Sequence, residues 1–117
     1  MGPSDQRVEV LPGPFEARII SSGTRAVRVV VSGDLDLASA PQLDVALRQA
    51  LAIANDVVLD LAQVRFIDST GLYTILGAVR EADSTGVTLR VSSDLRPQVA
   101  RLFQLVGLEG TMPFADV

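Results

Sequence analysis

Cysteine, histidine, lysine and tryptophan are all absent from these 117 residues, and aromatic side chains are scarce. Each absence closes a route. Without Cys there is neither a disulfide staple nor a thiol nucleophile, and without His as well the usual zinc ligands are missing. Only carboxylates remain for a metal, and no acidic run has the spacing of a calcium loop. A Ser-His-Asp route to an activated serine is closed without His, and no Lys can stand in as base. The G-x-x-x-x-G-K-[ST] phosphate loop is missing too, which argues against a nucleotide-hydrolysing enzyme. No catalytic residue, metal or cofactor is therefore expected. The only cations are ten arginines, scattered singly from Arg7 to Arg101 against fourteen acids, for a net charge of −4. Nucleic acid and anionic membrane are poor partners for such a surface, and a protein partner is the expectation.

Nearly half the side chains (48%) are apolar, enough for one sizeable core and hardly two, so one domain is expected over residues 15–117. The stretch 1–14, with Gly2, Pro3, Pro12, Gly13 and Pro14, reads as a flexible N-terminal tail. The apolar runs 26–31 and 57–61, each broken by one charged residue, are far too short to span a bilayer, and no basic-then-apolar leader is expected at the start of the chain. A cytoplasmic monomer is the default expectation.

The pattern alternates strand and helix. Residues 15–21 and 26–32 read as a hairpin across Ser22-Gly23-Thr24. Ser39 is placed to cap a helix with Pro41 in its first turn, and Leu43, Ala46, Leu47, Ala50 and Leu51 line one face of that helix. A strand over 57–61 precedes a helix from about 69 to 83, with Leu72, Ile75, Leu76 and Val79 facing the core. A short strand at 87–91 follows, then a last helix near 96–106 that carries Val99, Leu102, Phe103 and Val106 inward and stops at Gly107. The expected fold is α/β: a mixed, mainly parallel sheet with an antiparallel N-terminal strand and helices mostly on one face.

The chemistry concentrates in Asp68-Ser69-Thr70-Gly71, ahead of an apolar helical stripe. As a bare tetrad it is explained by helix capping alone, since Asp, Ser and Thr are preferred N-caps. It is neither an aspartic-protease loop nor a G-x-S-x-G elbow. A helix N-terminus also favours negative charge, so a phosphate on Ser69 or Thr70 would be well placed. Asp60, at the end of an expected strand, could be imagined as a receiver-type acceptor, but the lysine that such sites use is missing.

Three segments together carry a resemblance: V-S-G-D-L-D-L-A-S-A-P-Q-L at 31–43, V-V-L-D-L-A-Q-V-R-F-I-D-S-T-G-L at 57–72 and R-L-F-Q-L-V-G-L at 101–108. In this order they resemble the STAS domains of bacterial anti-sigma factor antagonists. The resemblance implies that Ser69, directly after the aspartate, is the phosphoacceptor. It implies an anti-sigma factor that is itself the serine kinase, and a PP2C-type phosphatase that reverses the mark. The unphosphorylated antagonist would bind the anti-sigma factor and free the sigma factor. One departure stands out: the family often has Gly two residues after the motif glycine, where this chain has Tyr73.

Tyr73 shares a helix face with Gly77 and Arg80, away from the apolar stripe, and reads either as a partner-choice residue or as an ordinary surface tyrosine. Asp34 and Asp36 read either as partner contacts or as strand-end solubilisers, Asp36 capping a turn. The partner-binding set expected from these arguments is Asp34, Asp36, Asp68, Thr70, Gly71 and Tyr73. The alternative function is a STAS scaffold or an accessory subunit of a stress-signalling or transport complex without sigma-factor control.

Overall fold

A computed structural model describes residues 15–108 and 110–117; the tail expected over 1–14 lies outside the described residues. The elements are β1 (Glu16–Gly23), β2 (Ala26–Leu35), α1 (Ala40–Ile53), β3 (Asp56–Ile67), α2 (Ser69–Thr85), β4 (Thr88–Ser92), α3 (Pro97–Leu105) and β5 (Phe114–Ala115). They build a five-stranded sheet in plain chain order, β1-β2-β3-β4-β5. β1 and β2 form the antiparallel hairpin, with Ile19 opposite Val29, and every later pair is parallel. The hairpin turn passes through Arg25 at φ 54, an uncommon left-handed position for a residue with a side chain. It is held there from outside: the Arg25 carbonyl accepts from the N–H of Asn55 at 2.8 Å, and its guanidinium donates to the Asn55 side chain.

Three parallel crossovers that all step the same way across a sheet, each right-handed, must place their helices on one face. Burial agrees. Val27, Val29 and Val31 of β2, Val57, Leu59 and Leu61 of β3, and Leu89 and Val91 of β4 share one core with Leu43 and Leu47 of α1, Leu72 and Ile75 of α2, and Val99 and Phe103 of α3. Parallel sheets are ordinarily covered on both faces. Here the opposite face is kept compatible with water by its alternate residues. Arg28, Val58 and Arg90 stand side by side across β2, β3 and β4. Arg28 pairs with Asp60 at 3.0 Å and Arg90 with Asp56 at 3.0 Å, so the guanidinium groups are neutralised while Val58 between them is buried.

The sheet is longer than periodicity alone indicates. β3 runs on past Leu61 to Ile67 because its pairing with β2 slips twice, once between Val30 and Ser32 and once between Gly33 and Asp34. Each slip adds a residue to β3, so the buried positions become Leu61, Val64 and Ile67, three apart, and the two-residue alternation is lost. β5, only two residues, carries no readable pattern. α2 extends to Thr85, its last hydroxyls from Ser84 and Thr85 bonding back to the Glu81 carbonyl before Gly86 turns the chain at φ 80.

α3 ends in a Schellman turn: the Leu108 N–H reaches the Phe103 carbonyl at 3.0 Å and the Gly107 N–H reaches that of Gln104 at 3.1 Å, with Gly107 at φ 70. The turn corrects one expectation. Val106 lies beyond the helix at its C-cap and is 48% exposed, not carried inward. Phe103 is the anchor of this corner, 1% exposed and edge-on to Phe114 of β5 at 5.3 Å. Phe103→Ala is expected to cost about 3–5 kcal/mol of unfolding free energy, read from urea denaturation, because it empties the contact that seats both α3 and β5.

Candidate functional site

β2 and β3 end side by side, and the connections that follow them meet at one edge of the sheet. Two contacts fix their separation. The Asp68 N–H donates to the Leu35 carbonyl at 3.1 Å. Next, Gly71 lies directly under Leu35: a Cβ built on Gly71 would stand 2.6 Å from Leu35 Cγ and 3.0 Å from both Ile67 Cγ1 and the Leu35 carbonyl. Gly71, expected among the partner-binding residues, is buried, and the observed role of its missing side chain is to let α2 start against the end of β2.

Asp68 is the N-cap of α2, in extended conformation, and its Oδ1 accepts from the Gly71 N–H at 3.0 Å. Capping and the exposure of the next hydroxyl are thus divided between two residues. Ser69 is the first helical residue, exposed, and no described group takes its side chain as a cap. Thr70 is half-buried, and its carbonyl accepts the Thr74 hydroxyl. Among the described residues no acceptor is paired with the N–H groups of Ser69 and Thr70, the orphan donors that a helix start leaves. An anion on Ser69 would meet them.

The Asp34–Ser39 connection is a small closed network. Asp36 Oδ1 accepts from the N–H groups of Ala38 at 3.0 Å and Ser39 at 3.1 Å, an Asx-type turn. The Ser39 hydroxyl accepts from the Asp36 N–H at 2.9 Å and donates to the Asp34 carbonyl at 2.7 Å. Ser39 is therefore not the side-chain cap of α1 that its position suggests; it is buried and braces the loop backwards. Asp34 is exposed and lies 3.5 Å from Arg65 of β3. Asp60 is remote from this edge in its bonding, tied to Arg28 and to the Ala62 N–H.

Apolar side chains surround the acids, and sequence reasoning passed most of them over. Leu37 is 73% exposed, Phe66 52% and Tyr73 72%, and beyond Ser69 the end of α3 adds Leu105 at 76%. Ser69, Leu72, Tyr73, Leu76, Val106 and Leu108 line a groove of about 150 Å³ between α2 and the turn after α3. The readable signal was the last segment of the resemblance, 101–108, whose apolar residues run past the helix end. Among the described residues no three His, Cys, Asp or Glu side chains stand together as metal ligands, and no helix is long and apolar enough to cross a membrane.

The family model described as Mlab, STAS domain matches residues 20–114. The chain is 33% identical to the anti-sigma F factor antagonist of Paenibacillus polymyxa over 79% of this chain and 80% of that one. Among solved structures it superposes on an anti-sigma factor antagonist from Mycobacterium paratuberculosis with a TM-score of 0.77, at 26% identity over 92% of each chain. The Bacillus protein SpoIIAA has the same fold in its unphosphorylated form (TM-score 0.66, 17% identity, 87% and 89% of the two chains) and in its phosphorylated form (0.65, 20%, 86% and 91%).

Two substitutions test how the site is built. Asp68→Ala is expected to cost about 0.5–2 kcal/mol through the lost cap. Gly71→Ala gains helix propensity, yet overpacking Leu35, itself fully buried, is expected to outweigh that gain and leave a net loss of about 1–3 kcal/mol. Thermal or urea unfolding of both variants measures the pair, and a Gly71→Ala protein as stable as the parent would contradict the close approach.

Proposed function

Because the chain belongs to the STAS-domain family of anti-sigma factor antagonists, we propose that it binds an anti-sigma factor when unphosphorylated, thereby releasing a sigma factor, and is switched off by phosphorylation of Ser69. The observation that carries the reading is the exposed Ser69 hydroxyl at the first position of α2, beside a capping aspartate that leaves it unengaged. The chain acts as substrate and ligand, not as catalyst.

In the transfer step Ser69 Oγ attacks the γ-phosphorus of ATP held by the anti-sigma factor, a serine kinase. The new Oγ–P bond replaces the bond to the bridging β,γ-oxygen, ADP leaves, and the serine proton goes to a base on the kinase. A PP2C-type phosphatase restores the hydroxyl by hydrolysis, releasing inorganic phosphate. The mark adds about −1.5 to −2 charges to an edge that already holds Asp68, Asp34 and Asp36. The free N–H groups and dipole of α2 offset part of that charge within the domain. What they do not offset is repulsion and desolvation at a partner's surface, so the switch acts on binding while the fold persists. Asp34, Asp68, Thr70 and Tyr73 are assigned to the contact surface; Asp36 shapes it from within its turn.

The test is incubation with ATP and each anti-sigma serine kinase of the source genome, followed by phosphopeptide mapping and binding titration. Label is expected on Ser69, none on Ser69→Ala, and weaker binding after labelling. Ser69→Ala should retain stability to within about 0.5 kcal/mol, because an exposed side chain that caps nothing is lost. Label mapped to Thr70 or Ser84 would reject the acceptor, and a protein that no anti-sigma factor binds would favour the scaffold or accessory-subunit reading.

A further inference from the structure

The groove beside Ser69 has a floor, two walls and a rigid frame. Leu72 and Leu76 of α2 are buried at 4% and 8% and form its floor. Tyr73 stands as one wall; Val106 and Leu108 form the other, fixed by the Schellman turn that ends α3. Its volume of about 150 Å³ is comparable to that of an apolar cavity that accepts a benzene ring. Exposed apolar clusters beside polar groups mark interaction sites, and an acid, Asp68, directly precedes the lining residue Ser69 and caps the helix that forms the floor.

We propose that this groove receives one apolar side chain of the anti-sigma factor, a Leu, Ile, Met or Phe set among arginines or lysines, and that Tyr73 selects which partner fits. The inference rests on the reading of Ser69 as acceptor. Ser69 is itself a lining residue of the groove, so a kinase that brings a γ-phosphate to Ser69 Oγ must lay its own surface over the remaining lining residues. The cations follow from Asp68 beside the groove. Tyr73 has the place and the size to define the wall. It lies one turn along α2 from Ser69, and truncating it opens the groove on one side.

The same geometry couples docking to the mark. A phosphate on Ser69 would sit at the groove's mouth, and seating an apolar side chain there would strip water from a dianion. Once transferred, the phosphate therefore weakens the seating of the anchor and favours release, without any backbone movement. That makes the groove a reader of the modification as well as a docking site.

Three variants test this: Val106→Asp and Tyr73→Ala inside the groove, and Val45→Asp on α1, 56% exposed and lining none of it. Each is titrated calorimetrically against the anti-sigma factor that binds and labels the wild-type protein, and its steady-state phosphorylation is measured. Val106→Asp should raise Kd about tenfold or more, Tyr73→Ala about threefold to tenfold, and Val45→Asp less than about twofold. KM for Ser69 phosphorylation should rise in parallel while kcat stays within about twofold, and Tyr73→Phe should restore binding. Tyr73 is 72% exposed, so its variants remain folded even if Val106→Asp does not. Wild-type affinity and KM in both groove variants would overturn the proposal while leaving Ser69 as acceptor. Self-association abolished by Val106→Asp would assign the groove to a second copy and overturn it too. A wild-type protein that no anti-sigma factor binds or labels would overturn the acceptor reading, and this inference with it.

Discussion

The close approach of α2 to the end of β2 is the constraint from which the rest of the site follows. Gly71 allows it, the Asp68-to-Leu35 hydrogen bond sets its distance, and the Asp68 carboxylate then closes on the Gly71 N–H. With the cap supplied from Asp68, the serine that follows is released from capping and turned to solvent. The free hydroxyl is thus a by-product of the cap at Asp68, one residue before it, and of the tight packing at Gly71, two residues after it.

Architecture places this corner where partners can reach it. A sheet in simple chain order with every described helix on one face gathers the loops after β2 and β3 at one edge, the carboxyl ends of the strands. The helix-free face is occupied by paired charges, Arg28 with Asp60 and Arg90 with Asp56, and their partners are within the chain. Exposed apolar side chains are scattered, from Ile20 and Val45 to Ile53 and Phe66, but Tyr73 and Val106 meet Ser69 in one groove.

Much of this was legible in the residues. The Leu72/Ile75/Leu76/Val79 stripe, the hairpin, the mainly parallel sheet and the family all read correctly, because each depends on a regular period or on an ordered set of motifs. What escaped was set by tertiary geometry. The bulges in β3 convert a period of two into a spacing of three, so its second half was invisible. Helical periodicity continues through Val106, but the Schellman turn ends the helix one residue earlier and rotates Val106 outward into a groove wall. Ser39 looks like a cap by type, yet the Asp36 carboxylate takes the N–H groups of that turn and leaves Ser39 to brace the loop. Gly71 reads as part of a motif; only the position of Leu35 reveals it as a packing residue.

The central claim is that a charge placed on a preformed edge switches the protein with its fold unchanged. Backbone amide spectra of the unphosphorylated and Ser69-phosphorylated forms test it most directly. The account predicts shifts confined to residues 33–40, 68–77 and 105–108, with the core of β4 around Leu89 and Val91 unmoved and the melting temperature changed by no more than a few degrees. Shifts spread through the core strands, or a collapse of the melting temperature on phosphorylation, would show that the mark acts by disrupting the fold and would contradict it.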